Sequence, residues 1–331
     1  MSILYASREF NMKIAIQNSE YGLLGGIGTY ANRLCKYLNQ VDGVSAEQFI
    51  HRFRGEADVV SIQYEPGCTP PHMLNQFINE MSQPIVVTAH HTLQLEQFYP
   101  LLDGVVIHDE SQVQNKPWSY TIIPHPALVF PKKDKSKLRK KYGLPKDKKI
   151  IGTMGFICGT GKVLPLTVSK ILKELKDDEF LYLTTSFWKG GDFGRLGEIK
   201  KVVKELDKES QFRIDTEFIT DEEILNEKLQ CCDLLYAWNN QTQYNPGSQS
   251  GSAADMYGSR VKLIVKDCPH YSFIGRQDKV EVGRSDVNEF VEDLFKVLRE
   301  KDLNDTQDPT HLSWETLIEG YVNYFKEVAC L

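Results

Sequence analysis

The chain has 331 residues, 41% of them hydrophobic and 25% charged, with a net charge of −6. That length suggests about two domains, the composition is that of a soluble globular protein, and the acidic balance gives no support to a protein that coats nucleic acid. No apolar run approaches the roughly 20 residues of a membrane span, Ser7, Arg8 and Glu9 interrupt any signal-peptide pattern, and seven cysteines without a C-x-x-C pair read as the reduced thiols of a cytoplasmic protein.

Lys13–Ile16 is a short apolar run that reads as a buried strand, and a loop with Gly22, Gly25, Gly26 and Gly28 follows it. Ala31, Leu34, Cys35 and Leu38 then recur at i, i+3, i+4 and i+7, the period of a helix with one buried face. Strand, glycine loop and helix form the first unit of a doubly wound α/β domain, whose ligands bind at the carboxyl end of the strands. The N–H groups at the helix start, near Thr29, favour an anion or a sugar hydroxyl. A ligand-free tight turn is the alternative.

Four further strands are predicted in this half: Asp58–Gln63, Pro84–Thr88, Asp103–His108 and Tyr120–Pro126, with a helix at Leu74–Met81. β-branched runs alternating with helical patterns are the signature of a parallel sheet. Polar groups cluster at the strand ends: Glu65, the adjacent His90 and His91, and His125. Histidine there can hydrogen-bond a sugar hydroxyl or a phosphate, or carry a proton, because its pKa lies near neutrality. No carboxylate or cysteine stands at zinc-ligand spacing to the pair, so no metal is expected. Pro131–Lys149 carries ten Lys or Arg against two Asp. It reads as a solvated helix, Lys135–Lys141, leading into an interdomain linker. A basic face for anionic lipid, as in peripheral membrane contact, or for nucleic acid is the alternative.

The pattern restarts with a strand at Lys149–Ile157, a glycine loop at Cys158–Lys162, and a helix through Leu166, Ile171 and Leu175. A Walker motif is excluded, because Phe156 stands where its first glycine belongs and Val163 where it needs Ser or Thr. A glycine loop with one lysine at a helix N-terminus remains, which suits a diphosphate. Strands follow at Glu179–Thr185, Phe212–Phe218, Cys232–Trp238 and Val261–Val265. Trp188–Gly197, with four glycines, reads as a mobile loop, and Thr220 with Glu223 as a capping box for the next helix. Asn239–Gly258 is rich in Asn, Gln, Ser and Gly; Ser250-Gly251-Ser252 would open a short helix with Asp255 on it. Amphipathic helices at Phe290–Leu298 and Trp314–Phe325 close the chain.

In order and spacing, GGIGTYANRL, ADVVSIQYEP, PIVVTAHHT, GVVIHDES, TIIPHP, IIGTMGFI, FITDEEILNEKLQCCDLLYA, SQSGSAADMYGSRVKLIV and HLSWETLIEGYVNYF resemble segments of the family 4-type glycosyltransferases of the GT-B fold. The resemblance implies an α/β protein of two Rossmann-like, doubly wound domains facing across a cleft. Residues 1–145, joined by the C-terminal helix 313–331, would be the acceptor domain, and 146–312 the nucleotide-sugar domain. It implies a retaining transfer of a hexose, without metal or cofactor, from a nucleotide-diphosphate sugar such as UDP- or GDP-hexose. The acceptor would be a hydroxyl of a carbohydrate, a lipid-linked or another molecule.

On the same basis His90 and Lys162 would be catalytic. Gly25, Gly26, Gly28, Thr160, Gly161, Lys162, Ile219, Ser250, Gly251, Ser252 and Asp255 would contact the donor. Thr29, Tyr30, Glu65, His91 and His125 would contact the acceptor. The sequence departs from the family in the donor segments. The first glutamate of the paired-glutamate motif falls at Gly247, the second is shortened to Asp255, and the arginine that accompanies the lysine is missing. Lys189, Arg260 and Arg276 are the cations considered as replacements. The departures motivate an alternative: a catalytically decayed protein of this fold acting as a binding or regulatory partner. A glycosyltransferase acting on nucleic-acid bases is a third reading, supported only by the basic stretch. A nicotinamide dehydrogenase is excluded, since no G-x-G-x-x-G follows either first strand. Neither the acceptor nor an oligomeric state is fixed by the sequence.

Overall fold

The computed structural model describes residues 11–19, 25–113, 119–157, 163–187, 193–240, 248–304 and 308–330. It divides into a first unit, Met1–Ile123 with Ile318–Leu331, and a second, Pro124–Leu317.

The first unit runs β1 (Met12–Gln17), α1 (Gly26–Leu38), β2 (Val44–Phe49), β3 (Val59–Tyr64), α2 (Pro71–Glu80), β4 (Ile85–Ala89), β5 (Gly104–Ile107) and β6 (Tyr120–Ile122). The strands form one parallel sheet in the order β2-β1-β3-β4-β5-β6. Every residue of β3, β4 and β5 is buried, as expected where helices cover both faces of a parallel sheet. On α1, Tyr30, Ala31, Leu34, Tyr37 and Leu38 are buried, and burying each large apolar side chain contributes roughly 1.5–3 kcal/mol.

The second unit runs α3 (Lys135–Tyr142), β7 (Lys149–Ile157), α4 (Pro165–Glu174), β8 (Glu179–Phe187), α5 (Phe193–Glu205), β9 (Phe212–Asp215), α6 (Glu222–Gln230), β10 (Leu234–Ala237), α7 (Gly251–Gly258), β11 (Lys262–Lys266), α8 (Ser272–Gly275), β12 (Glu281–Gly283) and α9 (Val287–Glu300). Its parallel sheet has the order β12-β11-β10-β7-β8-β9. β7 pairs with β8 along nine residues, from Lys149 with Glu179 to Ile157 with Phe187. Its recorded register with β10 covers only Leu234 with Ile151 and Leu235 with Gly152. Gly152 is required at that contact, because a Cβ there would lie 2.3 Å from Cys232 Sγ. Beyond it, the Thr153 hydroxyl donates to the Tyr236 carbonyl at 2.7 Å.

The last helix, α10 (Trp314–Ala329), belongs to the first unit from Ile318 onward. There the Tyr324 hydroxyl accepts from the backbone N–H of Val105 at 3.1 Å, and Tyr321 hydrogen-bonds Tyr30. Among the described residues, no helix is long and apolar enough to cross a membrane.

Several sequence expectations are corrected in detail. Residues 193–197 of the expected mobile loop open α5 despite Gly194 and Gly197; 188–192 lie outside the described residues. The cap of α6 is Asp221, whose carboxylate accepts from the N–H of Glu223 and Ile224, and not Thr220. The helix at Lys135–Tyr142 is only partly solvated. Leu138 and Arg139 are buried, and the Arg139 guanidinium binds Asp233 at 2.6 Å and the Cys231 carbonyl at 2.9 Å. Lys133 and Lys141 both bind the Glu227 carboxylate, and Lys135 binds Asp233. Four cations of the basic stretch are thus neutralised within the second unit.

Candidate functional site

Strand order locates the crevices before any side chain is considered. In an open α/β sheet the ligand crevice lies outside the carboxyl ends of the strands where their order reverses. In the first unit that point is between β1 and β3; in the second it is between β7 and β10.

At the first crevice the polar side chains are buried and almost all neutral. Gln17, Asn18 and Gln63 are fully buried at the ends of β1 and β3. His90 follows β4, is 7% exposed, and its Nε2 lies 3.1 Å from Gln63 Oε1. The Tyr30 ring meets His90 edge-on at 4.4 Å, and His108, at the end of β5, lies 5.4 Å from His90 between ring centroids. Burial pulls the His108 pKa down to about 4, against a smaller upward effect of its bond to the Ile123 carbonyl, so its ring is neutral at ordinary pH. Burial first, then the Tyr321 hydroxyl, raises the Tyr30 phenol well above its usual value. The sequence reading placed Glu65, His90, His91 and His125 on one sheet edge, of which His125 falls in the second unit; it did not single out His108, although the rule of polar groups at strand ends would have found it.

The remaining first-unit candidates are more peripheral. Gly25 is the N-cap of α1, Gly26 is its exposed first residue and Gly28 is buried. The Thr29 hydroxyl donates to the Gly25 carbonyl at 2.8 Å. Glu65 is half-buried at the end of β3, and its carbonyl accepts from Cys68 and Thr69 at 2.9 and 2.7 Å. His91 is half-buried and its Nδ1 accepts from the Leu93 N–H.

In the second unit α7 begins beside the reversal point. Ser250 caps it, accepting from the Ala253 N–H at 3.1 Å, and the Ser252 hydroxyl lies 3.4 Å from that of Ser250. The preceding residues are tied to the loop after β11: Ser248 Oγ to His270 Nδ1 at 3.0 Å, and the Gln249 amide to the Pro269 carbonyl at 2.9 Å. His125 belongs to this unit, packed on the start of α7; a Cβ on Gly251 would stand 2.8 Å from its ring, so glycine is required there. Asp255 is 4% exposed, and its Oδ1 accepts from the Leu128 N–H at 3.1 Å. Ile219 is half-buried between β9 and α6, next to Phe218, whose ring stacks at 6.3 Å on Phe156 at the end of β7. Thr160, Gly161 and Lys162, like Gly247, lie outside the described residues.

Of the cations considered as replacements for the missing arginine, Lys189 lies outside the described residues. Arg260 is engaged by Asp308 at 3.1 Å and by Thr310, and Arg276 follows α8 as its C-cap. Lys266, the last residue of β11, is a further buried cation of this unit. It is 7% exposed, its ammonium lies 5.0 Å from the centre of the Trp238 ring, and it donates to the Asn239 carbonyl at 3.1 Å. A lysine ending an apolar strand gives no sequence signal of burial.

No protein-family model matches the chain, and no curated protein matches it. Solved structures match along its length. The Anabaena HepE structure with UDP-glucose is 12% identical, with a TM-score of 0.68 over 96% of this chain and 98% of that one. A glycosyltransferase from Rickettsia africae is 12% identical at 0.68 over 96% and 99%. Sucrose-phosphate synthase from Thermosynechococcus elongatus is 12% identical at 0.64 over 97% and 94%. The fold is GT-B. At such identities the likeness is one of fold, and fold alone does not give function.

Proposed function

We propose that the chain is a glycosyltransferase that moves a hexose from a nucleotide-diphosphate sugar to an acceptor hydroxyl, with retention of configuration and without a metal. The observation that carries the reading is the match along nearly the whole of both chains to HepE, whose structure holds UDP-glucose. The crevices agree with it. The second unit has the Rossmann strand order and a serine-capped helix at the carboxyl edge, and we assign it the donor. The first has a buried, mostly uncharged edge of amides, phenol and imidazoles, and we assign it the acceptor.

In the transfer, the bond from the anomeric carbon to the diphosphate oxygen breaks and one to the acceptor oxygen forms. The diphosphate leaves with the electron pair, and its departing oxygen takes up the proton that the acceptor hydroxyl loses. Backbone N–H groups at the start of α7 would stabilise that developing charge, the electrostatic contribution that usually dominates such steps. His90, positioned by Gln63 and Tyr30, would hydrogen-bond the reacting sugar or acceptor. Neutral His108 would support it without adding charge.

The test is titration calorimetry with UDP-, GDP- and ADP-glucose without added metal, followed by hydrolysis of whichever binds. Binding with slow release of glucose supports the proposal. Absence of binding by any of these sugars or their free nucleotides at millimolar concentration refutes it.

Two observations favour a second reading, a non-catalytic partner: the Asp255 carboxylate is engaged by Leu128, and Phe156 and Phe218 stack beside Ile219 in a donor segment that lacks its arginine. Nucleotide binding without hydrolysis or transfer would select it. A transferase acting on nucleic-acid bases has weaker support from the basic stretch, because four of its ten cations, Lys133, Lys135, Arg139 and Lys141, are already paired.

A further inference from the structure

A neutral imidazole has one N–H donor and one lone-pair nitrogen, and the partner of either nitrogen decides which is which. For His90 that partner is the Gln63 side chain, whose Oε1 lies 3.1 Å from His90 Nε2. An amide oxygen accepts and cannot donate. The proton of the neutral ring therefore sits on Nε2, and the lone pair on Nδ1.

The amide is itself held in that sense. Gln63 Nε2 donates to Ser61 Oγ at 3.1 Å, two residues back on the same face of β3, which turns the amide oxygen toward His90. Ser61 and Gln63 are both fully buried, so water does not compete for either end of the amide. The main chain of Gln63 is fixed as well: its carbonyl accepts from the Thr69 hydroxyl at 3.0 Å, and Gln63 pairs with Thr88 of β4. His90 is fastened to the same strand end, since its backbone N–H donates to the Tyr64 carbonyl at 3.0 Å. The Tyr30 ring, 80° from the imidazole plane, walls one side of it. All of these residues belong to the first unit.

We propose that Gln63, latched by Ser61, is a positioning residue that fixes His90 as the Nε2–H tautomer. The neutral ring then meets any partner at Nδ1 as a hydrogen-bond acceptor. A hydroxyl suits that nitrogen because it can donate; an ionised phosphate oxygen does not, because it brings a second lone pair. The inference rests on the glycosyltransferase reading and deepens it. It gives His90 to a hydroxyl that orients the sugar or the acceptor, other than the reacting one, and leaves the departing diphosphate to the N–H groups of α7.

The experiment uses the full chain with nitrogen-15 in its histidine rings, at about pH 8, above the ordinary histidine range. NMR correlation spectra of the rings show which nitrogen carries the proton, and the His90 signals are those lost in His90→Gln. Wild type should show the Nε2–H form alone. Gln63→Leu, which removes the acceptor at similar volume, should show a mixture of both forms, and Gln63→Glu, which keeps an acceptor oxygen, should restore Nε2–H. With UDP-glucose, kcat for hydrolysis should fall about tenfold in Gln63→Leu, the equivalent of one hydrogen bond, with KM and the affinity for UDP within about twofold of wild type. An Nδ1–H ring in wild type overturns the proposal, and that result needs no variant to fold. An unchanged tautomer in Gln63→Leu overturns it too, as does a lowered melting temperature with kcat unchanged. If wild type carries the Nε2–H ring but binds no nucleotide sugar, the glycosyltransferase reading falls and the positioning of His90 by Gln63 stands.

Discussion

Replacing Asp255 by alanine separates two roles for the carboxylate. The side chain is 4% exposed, and its Oδ1 accepts the Leu128 N–H at 3.1 Å, which fastens α7 to the segment preceding α3. A hydrogen bond to a charged acceptor is worth about 1.5–3 kcal/mol, and its loss leaves a buried N–H without this partner. Asp255→Ala should therefore destabilise the second unit by about 2 kcal/mol. For a domain of this size that is a fall in melting temperature of roughly 4–8 °C. Asp255→Asn keeps an acceptor oxygen but not the charge, and should lose about half as much. Scanning calorimetry of both variants without ligand, with UDP-glucose titrations alongside, reads the outcome. A melting temperature within about 1 °C of wild type, together with a tenfold loss of nucleotide affinity, would refute the clasp and give the carboxylate to the ligand.

The same clasp has a second side. A Cβ on Gly258 would lie 2.2 Å from the Leu128 carbonyl oxygen, so Gly258→Ala should cost about 1–3 kcal/mol by overpacking despite the better helix propensity of alanine; urea unfolding checks it, and a stabilised variant would contradict it. His108 is neutral when folded, with a pKa of about 4, while the unfolded chain takes up the proton near 6.5. Stability should then fall as pH drops from about 6.5 to 4, by up to about 3 kcal/mol, and His108→Gln should flatten that slope in denaturant titrations at pH 7.5 and 4.5. Burial pushes the Glu227 carboxyl up, but Lys133, Lys141 and Tyr142 more than offset it and hold it at about 2. Its contribution is complete above the unfolded pKa of about 4.3 and disappears as pH falls toward 2. Because both lysines are partly exposed, it should be about 1–2 kcal/mol, weaker in high salt and absent from the acid unfolding curve of Glu227→Gln.

The parts of the fold legible in the sequence are those whose stabilisation is local in pattern. Val59–Tyr64, Ile85–Ala89 and Gly104–Ile107 are buried on both faces, and that requirement is written as unbroken apolar runs. β2 escaped because it is an edge strand: Val44–Phe49 alternates half-buried and exposed positions, with Phe49 alone buried. β12 is only three residues long, and α5 is disguised by the glycines in its first turns. The positions of Glu65 and His90 just after β3 and β4 were legible because a strand's end is visible in sequence. The bond of Asp255 to the Leu128 N–H and the packing of Lys266 on the Trp238 ring were not legible, because those partners come from distant chain segments or neighbouring strands.

The short register between β7 and β10 also bears on how the second unit comes apart. β7 and β8 are joined by nine residue pairs, and β8 to β9 and β10 to β11 by four each, whereas β7 and β10 share two, flanked by the Asp233 N–H to the Ile150 carbonyl, the Ile150 N–H to the Asp233 carboxylate and the Thr153 hydroxyl. Such a sheet has a seam. Native-state hydrogen exchange should show β7–β9 and β10–β12 opening as separate blocks, with Thr153→Val lowering the free energy of parting them. The line along which the strand order reverses is then also the line of least mechanical resistance.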